Sequence, residues 1–129
     1  MGYKADILST TEVLSVQVQI LGTQKSNATK KAIRFFSERQ IAYHFRDLRE
    51  KGFSAGELEN IRRSIDPDDL IDTEGQAYKK RGMAYMAFDA TEELLEEPLL
   101  AKLPVVRYGK SSTAGYEPDA WKEWIASSD

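Results

Sequence analysis

The hydrophobic period of the chain changes at Gly22, and that change restricts the fold more than any other feature of the sequence. Ser15-Val16-Gln17-Val18-Gln19-Ile20-Leu21 alternates apolar and polar residues, the two-residue repeat of a half-buried strand. Gly22 ends the run. From Asn27 onward Ala28, Ala32, Phe35 and Phe36 recur at helical spacing, with Lys30, Lys31 and Arg34 among them, which predicts a helix over about 27–39. A second strand is expected from Ile41 to Asp47, with Ile41, Tyr43 and Phe45 on one face and His44 and Arg46 on the other. Strand, helix and strand in so short a span form a right-handed crossover between parallel strands.

The rest of the chain decides what is built on that unit. Gly52 turns the backbone, and Ser54-Ala55-Gly56-Glu57 has the spacing of a capping box before a helix whose buried stripe is Leu58, Ile61 and Ile65. Asp66-Pro67-Asp68-Asp69 closes that helix and starts another short one. Helical patterning continues through Tyr78 and returns from Asp89 to Leu95. Leu103-Pro104-Val105-Val106-Arg107-Tyr108 reads as a strand, Gly109-Lys110 as a turn and Ser111 to Tyr116 as the returning strand. Glu117-Pro118-Asp119 opens a last helix that carries Trp121, Trp124 and Ile125. A β-α-β unit followed by a β-β-α unit is a thioredoxin-like layout. The expected architecture is therefore α/β, a mixed four-stranded sheet with flanking helices and a helical insertion between the second and third strands. Residues 1–14 are read as a short N-terminal lead-in, in which Ser9-Thr10-Thr11-Glu12 can cap a single turn, and residues 15–129 as one domain.

Composition removes several functions. A net charge of −3 argues against the phosphate backbone of a nucleic acid as the main partner. No apolar run approaches the ~20 residues needed to span a bilayer, and with no export signal the expected compartment is the cytoplasm. Cysteine is absent, which excludes disulfides, thiolate nucleophiles and thiolate metal ligands. One histidine, His44, is too little for a zinc site. Asp66, Asp68, Asp69 and Asp72 lack the glycine and closing glutamate of a calcium loop, and Gly22-Thr23-Gln24-Lys25-Ser26 lacks the glycine that precedes the lysine of a phosphate loop. Asn27-Ala28-Thr29 matches a glycosylation sequon that means nothing without export. Lys30, Lys31 and Arg34 make a basic stripe, Glu92, Glu93, Glu96 and Glu97 an acidic one, and both read first as solvated helix faces. At least one of Trp121 and Trp124 should pack on the sheet.

The segment Leu21-Gly22-Thr23-Gln24-Lys25-Ser26-Asn27-Ala28-Thr29-Lys30-Lys31-Ala32 resembles the strand-loop-helix opening of the arsenate reductase family, which also contains the Spx-type transcription regulators. The resemblance extends through Phe45-Arg46-Asp47-Leu48-Arg49-Glu50-Lys51-Gly52, Leu70-Ile71-Asp72-Thr73-Glu74-Gly75-Gln76-Ala77-Tyr78, Leu103-Pro104-Val105-Val106, Gly115-Tyr116 and the Trp-containing helix, so it covers roughly residues 16–125. It implies a thioredoxin-like fold, a cis proline at Pro104 facing the opening loop, and either glutathione- or glutaredoxin-linked reduction of arsenate or, in the Spx-like branch, regulation through contact with RNA polymerase.

Three positions depart from the family pattern. Ser26 stands at the cysteine, Glu74 at the arginine of the middle segment and Leu103 at the arginine before the strand proline. A serine hydroxyl is far less acidic than a thiol, which titrates near ~8.5, and it forms no mixed disulfide. The absent arginines would have held an oxyanion by bidentate hydrogen bonds, and Glu74 is expected to place a negative charge where the anion would sit. Ser26 is therefore expected to act as a helix cap and not as a nucleophile, since no base or nucleophile elbow accompanies it. No catalytic residue is assigned. The candidate ligand-binding residues are Thr23, Gln24, Lys25, Ser26, Asn27 and Pro104, where loop amides at a helix N-terminus can still attract an anion or a peptide.

The expected function is that of a reductase-inactive binding or regulatory module using its former active-site face, with no cofactor, another protein as partner, a weak anion or glutathione as a further ligand, and neither nucleic acid nor membrane. The alternative is a glutaredoxin-type arsenate reductase, or a related glutathione- or oxyanion-handling oxidoreductase, whose nucleophile is lost here, replaced by design or supplied by a partner. A scaffold with no ligand is the third reading, and an apolar patch around the last helix would favour it.

Overall fold

The computed structural model describes residues 18–127. The expected lead-in over residues 1–14 and the first residues of the expected opening strand lie outside that range. The elements are β1 (Val18–Gly22), α1 (Asn27–Glu38), β2 (His44–Asp47), α2 (Ala55–Ile61), α3 (Pro67–Leu70), α4 (Gln76–Lys80), α5 (Ala90–Glu96), β3 (Val105–Tyr108), β4 (Ser111–Ala114) and α6 (Pro118–Ser127). Single 3₁₀ turns at Met83–Tyr85 and Pro98–Leu100, which the sequence pattern did not announce, flank α5. The sheet order is β2-β1-β3-β4, with β1 parallel to β2 and antiparallel to β3, and β3 antiparallel to β4. This is the expected α/β architecture, including the helical insertion between β2 and β3.

Alternation along the strands sends side chains to two cores. Val18, Ile20 and Val106 pack with Ala32, Phe35 and Phe36 of α1 and with Trp121 of α6. Leu21 and Val105 point the other way, into a core completed by Leu58, Ile61, Leu70, Leu94 and Leu100 from the helical insertion. Ile41, Tyr43 and Phe45 do share the α1 side, as their alternation requires. The expectation for the tryptophans also holds: Trp121 is fully buried, and Trp124 is half-buried and stacked on Tyr108.

Three strands are shorter than their apolar runs. The Ile41 amide donates to Phe36 O at 3.0 Å, closing the end of α1 around Gln40, which has a φ of 59°. Pairing of β2 with β1 therefore begins only at His44. Residues before β3 are engaged elsewhere: Ala101 bridges to Ile71, and the Lys102 amide donates to Leu70 O at 2.8 Å. The Leu103–Pro104 peptide bond is cis, as the family resemblance implied. At the far end Gly115, with a φ of 86°, donates to Pro104 O at 2.9 Å and turns the chain toward α6 before the strand can reach Tyr116.

The sheet face that meets α2 carries a polar network at its far end. Glu57 closes the capping box, its Oε1 accepting from the Ser54 amide at 3.0 Å. The same carboxylate takes a bidentate pair from Arg46, both contacts at 2.7 Å, and lies 3.6 Å from Arg107 Nη1. Arg107 in turn donates to Gln19 Oε1 at 2.7 Å and to Asn60 Oδ1 at 3.1 Å. The hydrogen bonds from Arg46 first, then that from the Ser54 amide, with the charges of Arg46 and Arg107, hold the Glu57 carboxyl at about 2, well below its ordinary 4.5. Because the folded value is the lower one, the pair's contribution is complete above about pH 4.5 and is lost as the pH falls toward about 2. Urea midpoints should therefore decline across that window, and a Glu57→Gln chain, less stable at neutral pH, should show a flatter decline there. Equal slopes in the two chains would remove Glu57 as a source of the acid sensitivity.

Candidate functional site

The site is built where β1 gives way to α1. Gly22 ends the strand directly against Thr29 of the first helical turn, and a Cβ at position 22 would collide with the Thr29 hydroxyl. Only glycine lets the two elements approach this closely. The Gly22 carbonyl accepts from the Leu48 amide at 2.9 Å, which fixes the strand end to the exit of β2. Ser26 then caps α1: its backbone is extended, and its hydroxyl accepts from the Thr29 amide at 3.1 Å. The Ser26 amide is itself used, donating to Thr23 O at 3.3 Å. His44 is exposed on the edge strand β2, and no hydrogen bond joins it to Ser26 among the described residues.

A cavity of about 510 Å³ opens beside Ser26. Ser26, Leu103, Gly75, Ala77, Leu99, Lys80, Arg81, Asp72 and Glu97 are among the residues that line it. Of the six candidate residues, Ser26 alone lines this space. Thr23 and Pro104 are buried behind it, and Gln24, Lys25 and Asn27 are exposed on the loop.

The cations of the cavity were not read from the sequence. Glu74 was expected to set the charge of this region, yet it is exposed and does not line the cavity. The reason is local: Asp72 Oδ1 accepts from the Glu74 amide at 3.0 Å in a turn that leaves residue 74 on the surface, while Lys80 at the end of α4 and Arg81 at its C-cap line the cavity. The Lys79-Lys80-Arg81 run at the end of a short helix was the signal that could have found them.

Arg81 is not a free anion receptor. Its Nη2 donates to Glu93 Oε1 at 2.6 Å and lies 3.5 Å from Glu96 Oε1. The Glu93 bond raises its pKa, so the guanidinium stays charged and engaged. With Asp72 and Glu97 opposite Lys80 and Arg81, the formal charge of the lining balances to zero. A balanced, partly apolar cavity suits a peptide or another mixed polar ligand better than a dense oxyanion. Among the described residues no cluster of histidine, aspartate or glutamate is arranged to hold a metal ion, and no helix is long and apolar enough to cross a membrane.

No protein-family model matches the chain, and no curated protein sequence matches it. Solved structures do. An ArsC family related protein from Bacteroides fragilis superposes with a TM-score of 0.76 at 20% identity, covering 84% of this chain and 98% of that one. The YffB protein gives 0.73 at 24% identity, with 82% and 96% covered. The arsenate reductase from Vibrio cholerae gives 0.70 at 17% identity, with 82% and 95% covered.

The chain has the ArsC fold. What is shared at these identities is the architecture, and nearly the whole length of each ArsC-related structure is represented in it. The sequence resemblance to the arsenate reductase family therefore has its structural counterpart. Unlike the chemistry that the family name denotes, however, this ArsC-like chain carries no cysteine anywhere in its 129 residues.

Proposed function

We propose that the chain is a reductase-inactive, cytoplasmic ArsC-like binding module, akin to the Spx-type branch in acting by contact with another protein. In this reading the cavity beside Ser26 receives a segment of that partner. The observation that carries the proposal is the cavity's own composition. A capping hydroxyl stands at the loop, the one guanidinium is already held by Glu93, and apolar Ala77, Leu99 and Leu103 line the space among balanced charges. Ser26, with Thr23, Gln24, Lys25 and Asn27 around it and Pro104 behind it, shapes the cavity mouth and performs no chemistry.

Lys80 and Arg81 favour one competing reading, in which the domain still handles glutathione or an oxyanion with a thiol supplied by a partner. An amide NMR titration separates the two. With arsenate, phosphate, sulfate or glutathione at millimolar concentration, we expect no saturable shift at Gly22 through Thr29 or beside Pro104. Peptides selected from a displayed random library should instead shift Ser26, Ala77, Leu99 and Leu103 together. Saturable oxyanion or glutathione shifts confined to the loop would restore the enzyme reading, and selected peptides that map elsewhere would remove this cavity as the binding face.

A further inference from the structure

A second concave surface lies between α1 and α6 and shares no residue with the cavity at Ser26. It is a groove of about 380 Å³ whose lining includes Lys31 and Arg34 from α1, Arg39 at the C-cap of that helix, Lys122 from α6, and Tyr116 from the turn between β4 and α6. Lys31, Arg34 and Arg39 fall at i, i+3 and i+8, along one side of α1 and its C-cap. Against these four cations Glu38 is the one acid in the lining.

The cations gathered here are not paired with carboxylates among the described residues, unlike the arginines of the two networks above. Arg46, Arg81 and Arg107 each lie against a glutamate. Lys31, Arg34, Arg39 and Lys122 form no ion pair among the described residues. Two of them are instead held over aromatic rings, Arg39 at 3.7 Å from the Phe35 centroid and Lys31 at 5.7 Å from that of Tyr116. Arg39 Nη1 also donates to Phe35 O at 3.1 Å, so the guanidinium is oriented by the helix end while no carboxylate among the described residues neutralises it. Tyr116 is 45% exposed at the groove rim, yet its ring stands edge-on against buried Trp121, 5.5 Å between centroids, so it is a rigid aromatic anchor. Arginine and tyrosine around a shallow groove are the residue types that dominate binding energy at protein interfaces.

We infer that the α1–α6 groove docks an acidic segment of a partner protein, its carboxylates set against Lys31, Arg34, Arg39 and Lys122 and an apolar side chain against Tyr116. The basic face from Lys31 to Arg39 is only about 12 Å long at the ~1.5 Å rise per helical residue. A nucleic-acid strand following it would run onto a chain whose net charge is −3, with Glu117, Asp119 and Glu123 exposed around the start of α6. A short run of carboxylates fits the length and ends where the cations end. In a second copy of this chain Glu93 and Glu96 of the acidic stripe are already engaged with Arg81, which interrupts that run of carboxylates.

The probe is a short fluorescein-labelled peptide rich in glutamate and containing one phenylalanine, read by anisotropy against the intact chain. Binding should weaken severalfold between low and physiological salt, as expected for exposed charge pairs. It should fall ~10-fold or more in the Arg34→Glu, Lys122→Glu double variant, since like charges then face each other. Both positions are exposed, and an unchanged amide spectrum elsewhere would establish that the variant is folded. Lys51→Glu, exposed and outside the groove, should bind as the parent does. The inference is overturned if the double variant binds equally well, if Lys51→Glu weakens binding as much, or if the peptide does not bind. Tighter binding of an oligonucleotide or of pyrophosphate than of the peptide would also overturn it.

Discussion

A Ser26→Cys chain is expected to become alkylated at a single site with a depressed thiol pKa, and to remain inert toward arsenate. Position 26 is the N-cap of α1, and its side-chain oxygen already accepts the Thr29 amide. A thiolate placed there would take the same hydrogen bond and face the positive end of the helix, conditions that lower a thiol from ~8.5 into the range ~3.5–7.5. Since the parent has no cysteine, iodoacetamide incorporation would go from nil to one per chain, and its rate against pH would report the pKa directly. Arsenate turnover is a different requirement. The new charge would join Asp72 and Glu97 in the lining, while Arg81 stays committed to Glu93 and Glu96. With no free guanidinium to hold the oxyanion, arsenite release in the presence of glutathione and glutaredoxin should equal the blank. A thiol titrating at or above ~8.5 would mean that the loop does not polarise residue 26. Arsenite above the blank would mean that the cavity retains a working anion site, and the binding-module reading would fail.

Trp121→Ala should produce the largest loss of stability of any single substitution considered. The indole is fully buried between the sheet and α1, with ring centroids 5.2 Å from Phe35 and 5.3 Å from Phe36. Its Nε1 donates to Thr113 Oγ1 at 2.8 Å, tying α6 to the edge strand β4. Truncation leaves a large void and an unpaired hydroxyl, at a cost of about 3–5 kcal/mol. Against a total of about 5–15 kcal/mol for a domain, that removes a large part of the margin. The midpoint of thermal unfolding should fall by roughly 10–20 °C. Trp121→Phe keeps most of the apolar volume and loses the hydrogen bond, so a drop of about 1–3 kcal/mol is expected. An alanine variant that unfolds within about 1 kcal/mol of the parent would show that the α1–α6 core is not organised around this ring. Because Tyr116 and Phe35 both lean on Trp121, the alanine variant should also blunt peptide binding in the α1–α6 groove.

Those features that depend on near neighbours in the chain were legible in the sequence. The Ser26 cap and the Ser54–Glu57 box are contacts across three residues, and both stand as read. The alternation that sends Val18 and Ile20 to one core and Leu21 to the other needs only the pleat. What escaped the sequence is long-range. Glu57 announces itself as a cap, but its bidentate hold on Arg46, eleven positions away, and its proximity to Arg107 arise only when β2 and β3 lie on either side of β1. Arg107 and Gln19, 88 positions apart, meet because they occupy facing positions of antiparallel strands. The shortened β2 was hidden for the opposite reason. Ile41 fits the strand period, but its amide is claimed by the helix before it, and hydrophobic patterning carries no information about which partner an amide will take. At the candidate site the resemblance pointed to Glu74 while the lining falls to Lys80 and Arg81, because a turn at Asp72 leaves residue 74 outside the cavity.

The α2–α3 connection also bears on how the molecule behaves at high concentration. An outer strand normally offers a row of unpaired donors and acceptors, a template on which further chains can polymerise. On β4 one of these donors is already taken: the Ser112 amide points to Ser64 Oγ at 3.0 Å, and the same hydroxyl reaches Lys110 O at 3.5 Å. One side chain thus imitates one rung of a fifth strand and stops the ladder there. That rung of the rim is closed by a serine 48 positions upstream of the amide it occupies.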